Sequence, residues 1–521
     1  MTTDVAPNPE APTSDGRAGR RGRRGREGTG RVVDYRNLRN PFTPQTVFSE
    51  DRVEAIHQTA LRVLEELGMK VLLPDARRRY AKAGALVDED TQIVRIGRDI
   101  VEAALKTAPR SFTLRGGAPH RDVKFELGAL SFQTGAGSPH ATDLDRGRRP
   151  STMRDYEDLV RIEQHYDTLQ TLSMSVEAQD VATHLRHYGV MRAQLTLSDK
   201  VPYVYSRGNP QARDAFEMIR IVRGLSEDEF RAEPRCTSII NTNSPRQLDI
   251  PMAQGIIDMA EAGQVAIVTP FCLMGAMAPV TVAGALMLTH AEAMAGITLG
   301  QISRPGAPVC YGAFASNVDM KSGAPAFGTP EEVKANLGSG QLARKLGIPW
   351  RCAGGSAANV NDAQAAHETE MSVWGAVLAG ATLIVHAAGW LEGGLTVSFE
   401  KVITDLEMIQ TFAELCHQTS ASDPDIAFEA LQEVAPGGHF FGAQHTMLRY
   451  QTAFYEPIVA DWSNFGTFTE RGARDANMRA RDLWKRIVAE SKPVPLDPAR
   501  IEALDAFIAK REEAGGAPPV S

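Results

Sequence analysis

Between Ile384 and Lys401 the chain reads IVHAAGWLEGGLTVSFEK, so an apolar run delivers His386, Trp390 and Glu392 into a patch containing Gly389, Gly393 and Gly394. A histidine and a glutamate just past an apolar run can move a proton or help to hold a metal, and glycines let the backbone turn sharply or approach a ligand closely. Applying the same position rule to the other apolar runs assembles a candidate rim: Gln133, His140, Ser175, Tyr205, Arg207, Asn241, Asn243, Phe271, Cys272, Tyr311, Phe314, Arg351 and Cys352. This rim has several aromatics and few paired acids. His386 and His140 are its only histidines, with Glu392 and Asp319 as candidate helpers, which is a weak ligand set for a catalytic metal. No lysine ends a run, which disfavours Schiff-base chemistry, and the cysteines suit apolar filling better than nucleophilic attack. The rings Tyr205, Phe271, Tyr311, Phe314 and Trp390 can surround a quaternary ammonium, which is held by π faces. They can equally be packing side chains of the core.

Residues with this spacing need a scaffold that brings many run ends to one face. From Leu130 onward the runs ALSFQTGAG, TLQTLSMSV, VPYVYSR, CTSIINTN, VAIVTPF, PVCYGAF, IPWRCAGG and TLIVHAAGW are each followed by a helical pattern. Near-continuous apolar strands alternating with helices predict a parallel sheet covered by helices, and these units close most naturally as a (β/α)8 TIM-type barrel. An open doubly wound sheet is the alternative, but no GxGxxG turn follows a first strand. The organisation predicted is a disordered Arg/Gly-rich tail over 1–38, an N-terminal α+β segment over 39–127, the barrel over 128–420 and a helical C-terminal extension over 421–521. The final GGAPPVS is expected to fray.

Composition bounds the function. The 521 residues are 43% hydrophobic and 23% charged with a formal net charge of −8, which argues against a globular body built to bind nucleic acid. Five scattered cysteines without a CxxC pair suggest neither a disulfide framework nor a thiolate zinc site, and a reducing cytoplasm is expected. The N-terminal RAGRRGRRGREGTGR lacks the apolar stretch of an export signal and reads as a solvated tail, with RNA contact as the alternative. The most apolar segment, Val265 to Gly300, is interrupted by Pro270, Pro279, His290 and Glu292, so no membrane span is predicted.

Two segments, LGIPWRCAGGSAANVNDAQAAHETE and LAGATLIVHAAGWLEGGLTVSFEKVITDLEMI, together with NPFTPQTVFSEDRVEAIHQTALRVLEELGMKVL, resemble the trimethylamine methyltransferase family over nearly the whole chain. The resemblance implies a (β/α)8 barrel that moves a methyl group from a methylated amine to the cobalt of a cobalamin carried by a separate corrinoid protein. No DxHxxG corrinoid-binding motif occurs in the chain itself. Archaeal trimethylamine enzymes of the family carry pyrrolysine, whereas this chain has only standard residues. That difference points to a quaternary amine, glycine betaine foremost. The region of Gly354, Gly355 and Ser356 resembles the place where pyrrolysine falls. A quaternary ammonium leaves as a neutral amine, so transfer needs a positioned methyl and no acid. Expected substrate-binding residues are therefore Tyr205, Arg207, Phe271, Tyr311, Phe314, Arg351, Gly355, Ser356 and Trp390, with His386 and Glu392 as the candidate catalytic pair, no metal, and a homo-oligomer. The alternatives are a barrel hydrolase or lyase built on His386 and Glu392, and a non-catalytic barrel that binds methylated amines.

Overall fold

The computed structural model describes residues 33–135 and 137–520, and most of the expected tail lies outside them. Ordered contacts begin earlier than residue 39, because Leu38 pairs antiparallel with Leu130 and the Tyr35 hydroxyl donates to Glu414. The fold is mixed α/β. Its centre is a set of parallel strands: β1 (Ala129–Phe132), β2 (Thr237–Ile240), β3 (Val265–Val268), β4 (Val309–Gly312), β5 (Trp350–Ala353) and β6 (Leu383–Val385). They run in the order β1-β6-β5-β4-β3-β2. The remaining two runs, around Thr171 and Val201, appear as isolated parallel bridges, Thr171 to Val201 and Tyr203 to Thr237. Pro202 has no N–H to give, which shortens the ladder there. The Gln170 N–H donates to the Phe132 carbonyl at 3.3 Å.

Each run is followed by a helix: α1 (Met153–His165), α2 (Arg186–Leu197), α3 (Asn209–Arg223), α4 (Ile250–Glu261), α5 (Val282–Ser303), α6 (Pro330–Leu346), α7 (Ala363–Leu378) and α8 (Phe399–Leu415). Local chemistry starts them where the sequence indicates. Thr152 and Asp155 form a capping box on α1, and Asp362 accepts from the Gln364 and Ala365 amides on α7. The long apolar helix α5 is not broken as the sequence suggested, since Pro270 and Pro279 precede it. It has the length and hydropathy of a membrane span, yet most of that window is buried inside the protein. Its polar residues find distant partners: His290 bonds His57 at 2.9 Å, and Glu292 accepts from Thr242, Ser244 and the Arg246 amide.

Strand alternation sorts the side chains into two faces. Val265, Ile267, Cys310, Leu383 and Val385 join Val201 in one cluster. The hairpin Ser111–Leu114/Val123–Glu126 adds Leu114, Val123 and Phe125 to it. The hairpin thus packs into the cluster formed by this face of the strands. Two small sheets build the rim at the C-terminal ends of the strands. One contains Phe271–Met274 and Phe314–Val318, and the other contains Trp390–Leu391, Thr396–Ser398 and His140–Thr142.

Past α8 the chain divides differently from a single extension. Residues 420–455 form a unit of their own, with short helices Asp423–Ile426, Phe428–Glu433 and Gln444–Arg449 and only Ala430 and Ala443 buried. The later helices belong to the main unit. Trp484 donates to Glu400 on α8 at 3.0 Å, and Arg511 pairs with Asp214 on α3 at 3.0 Å. The final residues are pinned rather than frayed: Ala517 is buried, with its amide on the His184 carbonyl, and the Val520 amide donates to the Arg207 carbonyl.

Candidate active site

A cavity of about 550 Å³ opens at the C-terminal ends of the strands. Arg351, on β5, lines it and is 1% exposed. The Arg351 Nη2 lies 2.9 Å from His386 Nε2. A guanidinium only donates, so Nε2 accepts and the imidazole proton resides on Nδ1. Burial and the neighbouring Arg351 charge push the His386 pKa well below its ordinary value, and the ring is neutral. Burial likewise pushes Arg351 down to about 10, so it stays a cation at neutral pH. Among the described residues, Arg351 Nε and Nη1, His386 Nδ1 and Trp390 Nε1 have no hydrogen-bond partner. Buried polar atoms without partners are uncommon in native proteins and costly.

The glycines of the opening segment now have a role. Directly after β6, His386 adopts the left-handed backbone region at φ 59°, a strained conformation of the kind that collects at functional sites. Its ring stacks on Trp390 with centroids 4.0 Å apart and planes at 13°. A Cβ at Gly355, where φ is 150°, would stand 2.5 Å from Trp390 Cε3, and one at Gly394 would overlap the other side of the indole. Glycine therefore makes the slot in which the indole sits. Phe314 carries the wall onward, 5.7 Å from Trp390 and 4.9 Å from Phe271 between centroids, with the Arg351 guanidinium 5.2 Å from its own ring.

The opposite wall is more polar. Glu177 accepts from the Tyr205 hydroxyl and from Arg207 Nη2 at 2.7 Å, and is also paired with Arg186. Arg207 lies over the Tyr205 ring at 4.3 Å, so one face of that ring already holds a cation from the protein itself. Asn241, Asn243 and Ser244 complete the side above β2.

The sequence pattern of the trimethylamine methyltransferase (MTTB) family matches residues 14–516. The chain belongs to the trimethylamine methyltransferase family. It is 32% identical over 467 residues to glycine betaine methyltransferase of Desulfitobacterium hafniense (strain Y51), covering 89% of this chain and 97% of that relative. It is 29% identical to trimethylamine methyltransferase MttB of D. hafniense (strain DSM 10664 / DCB-2), with 90% and 94% covered. Among solved structures, the Methanosarcina barkeri monomethylamine methyltransferase aligns at a TM-score of 0.48 and 10% identity, covering 87% of this chain and 90% of that one.

In this family member Tyr205, Arg207, Phe271, Phe314, Arg351, His386 and Trp390 line the cavity as expected from their positions after the runs. Tyr311 does not. Cys310 takes the inward position on β4, so Tyr311 turns to the helix layer, where its hydroxyl lies 3.1 Å from His290 Nδ1 on α5. Gly355 backs Trp390, and Ser356 donates to Glu368 at 2.7 Å, so neither lines the cavity. Glu392 is tied to Arg148 at 2.8 and 2.9 Å on the rim. Burial raises its pKa, but the Arg148 and Thr396 hydrogen bonds outweigh that and hold it below the ordinary value. No hydrogen bond joins it to His386 among the described residues, which removes the expected acid–base pair. Cys272, with its thiol pushed up to about 12 by burial, and Cys352, likewise about 12, are poor nucleophiles. Reading the run ends missed Glu177, because it lies one residue past the run TLQTLSMSV, although it shares a strand face with Ser175. The signal was available: Glu177 is the first acid after an apolar run.

Proposed function

We propose that this protein transfers a methyl group from a quaternary amine, with glycine betaine the leading substrate, to the cobalt of a cobalamin carried by a separate corrinoid protein. Its 32% identity over almost the full length of a glycine betaine methyltransferase supports the reaction class. The observation that carries the reading is the cavity itself, with Phe271, Phe314 and Trp390 on one wall and no free carboxyl placed to act as an acid among the described residues. A quaternary ammonium suits such a wall, since the departing amine is neutral and asks for no proton. The rings should orient more than clamp, because charge on nitrogen is lost as the methyl leaves and tight binding of the cation would slow the step.

A corrinoid in its cob(I) state supplies the nucleophile that takes the methyl group. The cavity of about 550 Å³ suits a betaine and is too small for a corrin macrocycle, so the residues present fit a corrin ring held at the mouth by another protein. Val280, Met320 and Leu395, exposed at 70%, 71% and 54% on loops after β3, β4 and β6, offer apolar surface for that partner. We also read the eight runs as a closed (β/α)8 barrel. The two isolated parallel bridges and the Gln170–Phe132 hydrogen bond, which link β2 back to β1, support this reading.

Anaerobic mixing of the purified protein with reduced cobalamin, or with a supplied corrinoid protein, and a panel of quaternary amines tests the reaction while methylcobalamin absorbance is followed. Glycine betaine is expected to give methylcobalamin. Failure of every amine with both acceptors would overturn methyl transfer.

A further inference from the structure

We infer that Arg351 and the hydrogen-bonded His386 form an anion subsite at the closed end of the cavity, which takes the carboxylate of a zwitterionic quaternary amine and rejects amines that lack one. The inference deepens the methyl-transfer reading and rests on it only for the cationic end of the ligand.

Three observations meet at this point. Arg351 is buried, and no carboxylate pairs with it among the described residues, whereas the neighbouring rim arginines Arg148, Arg186 and Arg207 are each satisfied by Glu392 or Glu177. A buried guanidinium left without an anion is costly, and the protein keeps it beside an accessible cavity. Only one of its donors is used, on His386 Nε2, and Nε and Nη1 remain without acceptors. Finally, that hydrogen bond fixes the imidazole proton on Nδ1, so His386 carries a further buried donor without a partner next to Arg351. The unpartnered nitrogens of Arg351 and His386 are all donors, which is the complement of a carboxylate.

The same charge discriminates. A betaine can place its carboxylate on Arg351 and its trimethylammonium group towards Phe314, Phe271 and the mouth, which leaves a methyl facing outward. A simple quaternary cation keeps the ring contacts but brings no anion to the buried guanidinium, whose repulsion it feels without compensation at that end. At the rim Arg207 already holds Glu177, a carboxylate it shares with Arg186, so its guanidinium is less free than that of Arg351 to take one from a ligand.

Isothermal titration of the full chain with glycine betaine, its methyl ester and choline tests the subsite without any methyl acceptor. The ester and choline keep the trimethylammonium group and lack the carboxylate. Glycine betaine is expected to bind at least about 30-fold more tightly than either. Arg351→Gln, checked for native circular dichroism, should lose that preference while choline binding holds or improves. Equal binding of the three ligands by the wild-type protein overturns the subsite even if the variant does not fold, and so does a preference that survives in folded Arg351→Gln. A preserved preference without methyl transfer would instead sink the reaction and leave the subsite standing.

Discussion

Gly355 carries no side chain, yet it decides where the largest ring of the cavity sits. With φ at 150° and an ideal Cβ only 2.5 Å from Trp390 Cε3, alanine there must either distort the backbone or push the indole off His386. Gly355→Ala is expected to cost about 1–3 kcal/mol of stability and to shift the environment of Trp390. Differential scanning calorimetry and tryptophan fluorescence should both register the change, with weaker betaine binding; an unchanged spectrum and affinity would mean that the indole has another place to go. At this scale much was legible. Arg351, His386 and Trp390 were found because the ends of apolar runs in an α/β sheet are where sites lie. Tyr311 was misplaced by one residue of register, and in a strand one residue is the difference between the cavity and the helix layer. Glu392 failed for a different reason: its partner Arg148 lies far away in sequence, and no local pattern announces an ion pair of that kind.

The elements hold these residues through contacts that are also long-range, and α6 shows what such contacts do to stability. Glu332 is buried in the first turn of α6, where its Oε2 accepts from the Gly328 amide at 2.6 Å and from Ser372 on α7 at 2.9 Å. Burial, reinforced by the nearby Glu368, pushes its carboxyl up to about 8, despite both hydrogen bonds. A raised acid contributes its stability in full below the unfolded value of 4.5 and loses it as pH climbs through the folded value. The wild-type protein should therefore weaken between about pH 5 and about pH 9, and Glu332→Gln, which cannot ionise, should gain on it by up to about 5 kcal/mol across that interval. Denaturant titrations of the two proteins at both pH values would check this; parallel stability curves would contradict it. The alternation of runs and helices was readable because its periodicities are local. The hairpin at Ser111–Glu126 was visible as strand material, but its packing on Ile267, Cys310 and Val385 depends on partners up to hundreds of residues away. The pinned tail was hidden in the same way, since Ala517 and Val520 are held by His184 and Arg207.

At the scale of the whole molecule, the proposed reaction asks the chain to satisfy two visitors that arrive by different routes. On the proposed reaction the amine enters a cavity made by strand ends, whereas a corrinoid protein would settle on the loops around it and leave after every transfer. Val280 and Met320 suit the docking of that protein. Both are exposed, and a Cβ at Gly275 would lie 2.9 Å from Met320 Sδ and 3.8 Å from a Val280 methyl, so the two form one patch. Neither lines the cavity, so charging them should leave amine binding intact. Val280→Glu combined with Met320→Glu places two carboxylates where the partner would bury apolar surface, a cost of at least about 1.4 kcal/mol or tenfold in rate at low partner concentration. Methyl transfer to the protein-borne corrinoid should fall accordingly, while transfer to free cob(I)alamin proceeds as in the wild type. Equal losses with both acceptors would show that the patch acts on the cavity, and no loss with either would move the docking surface to another part of the rim.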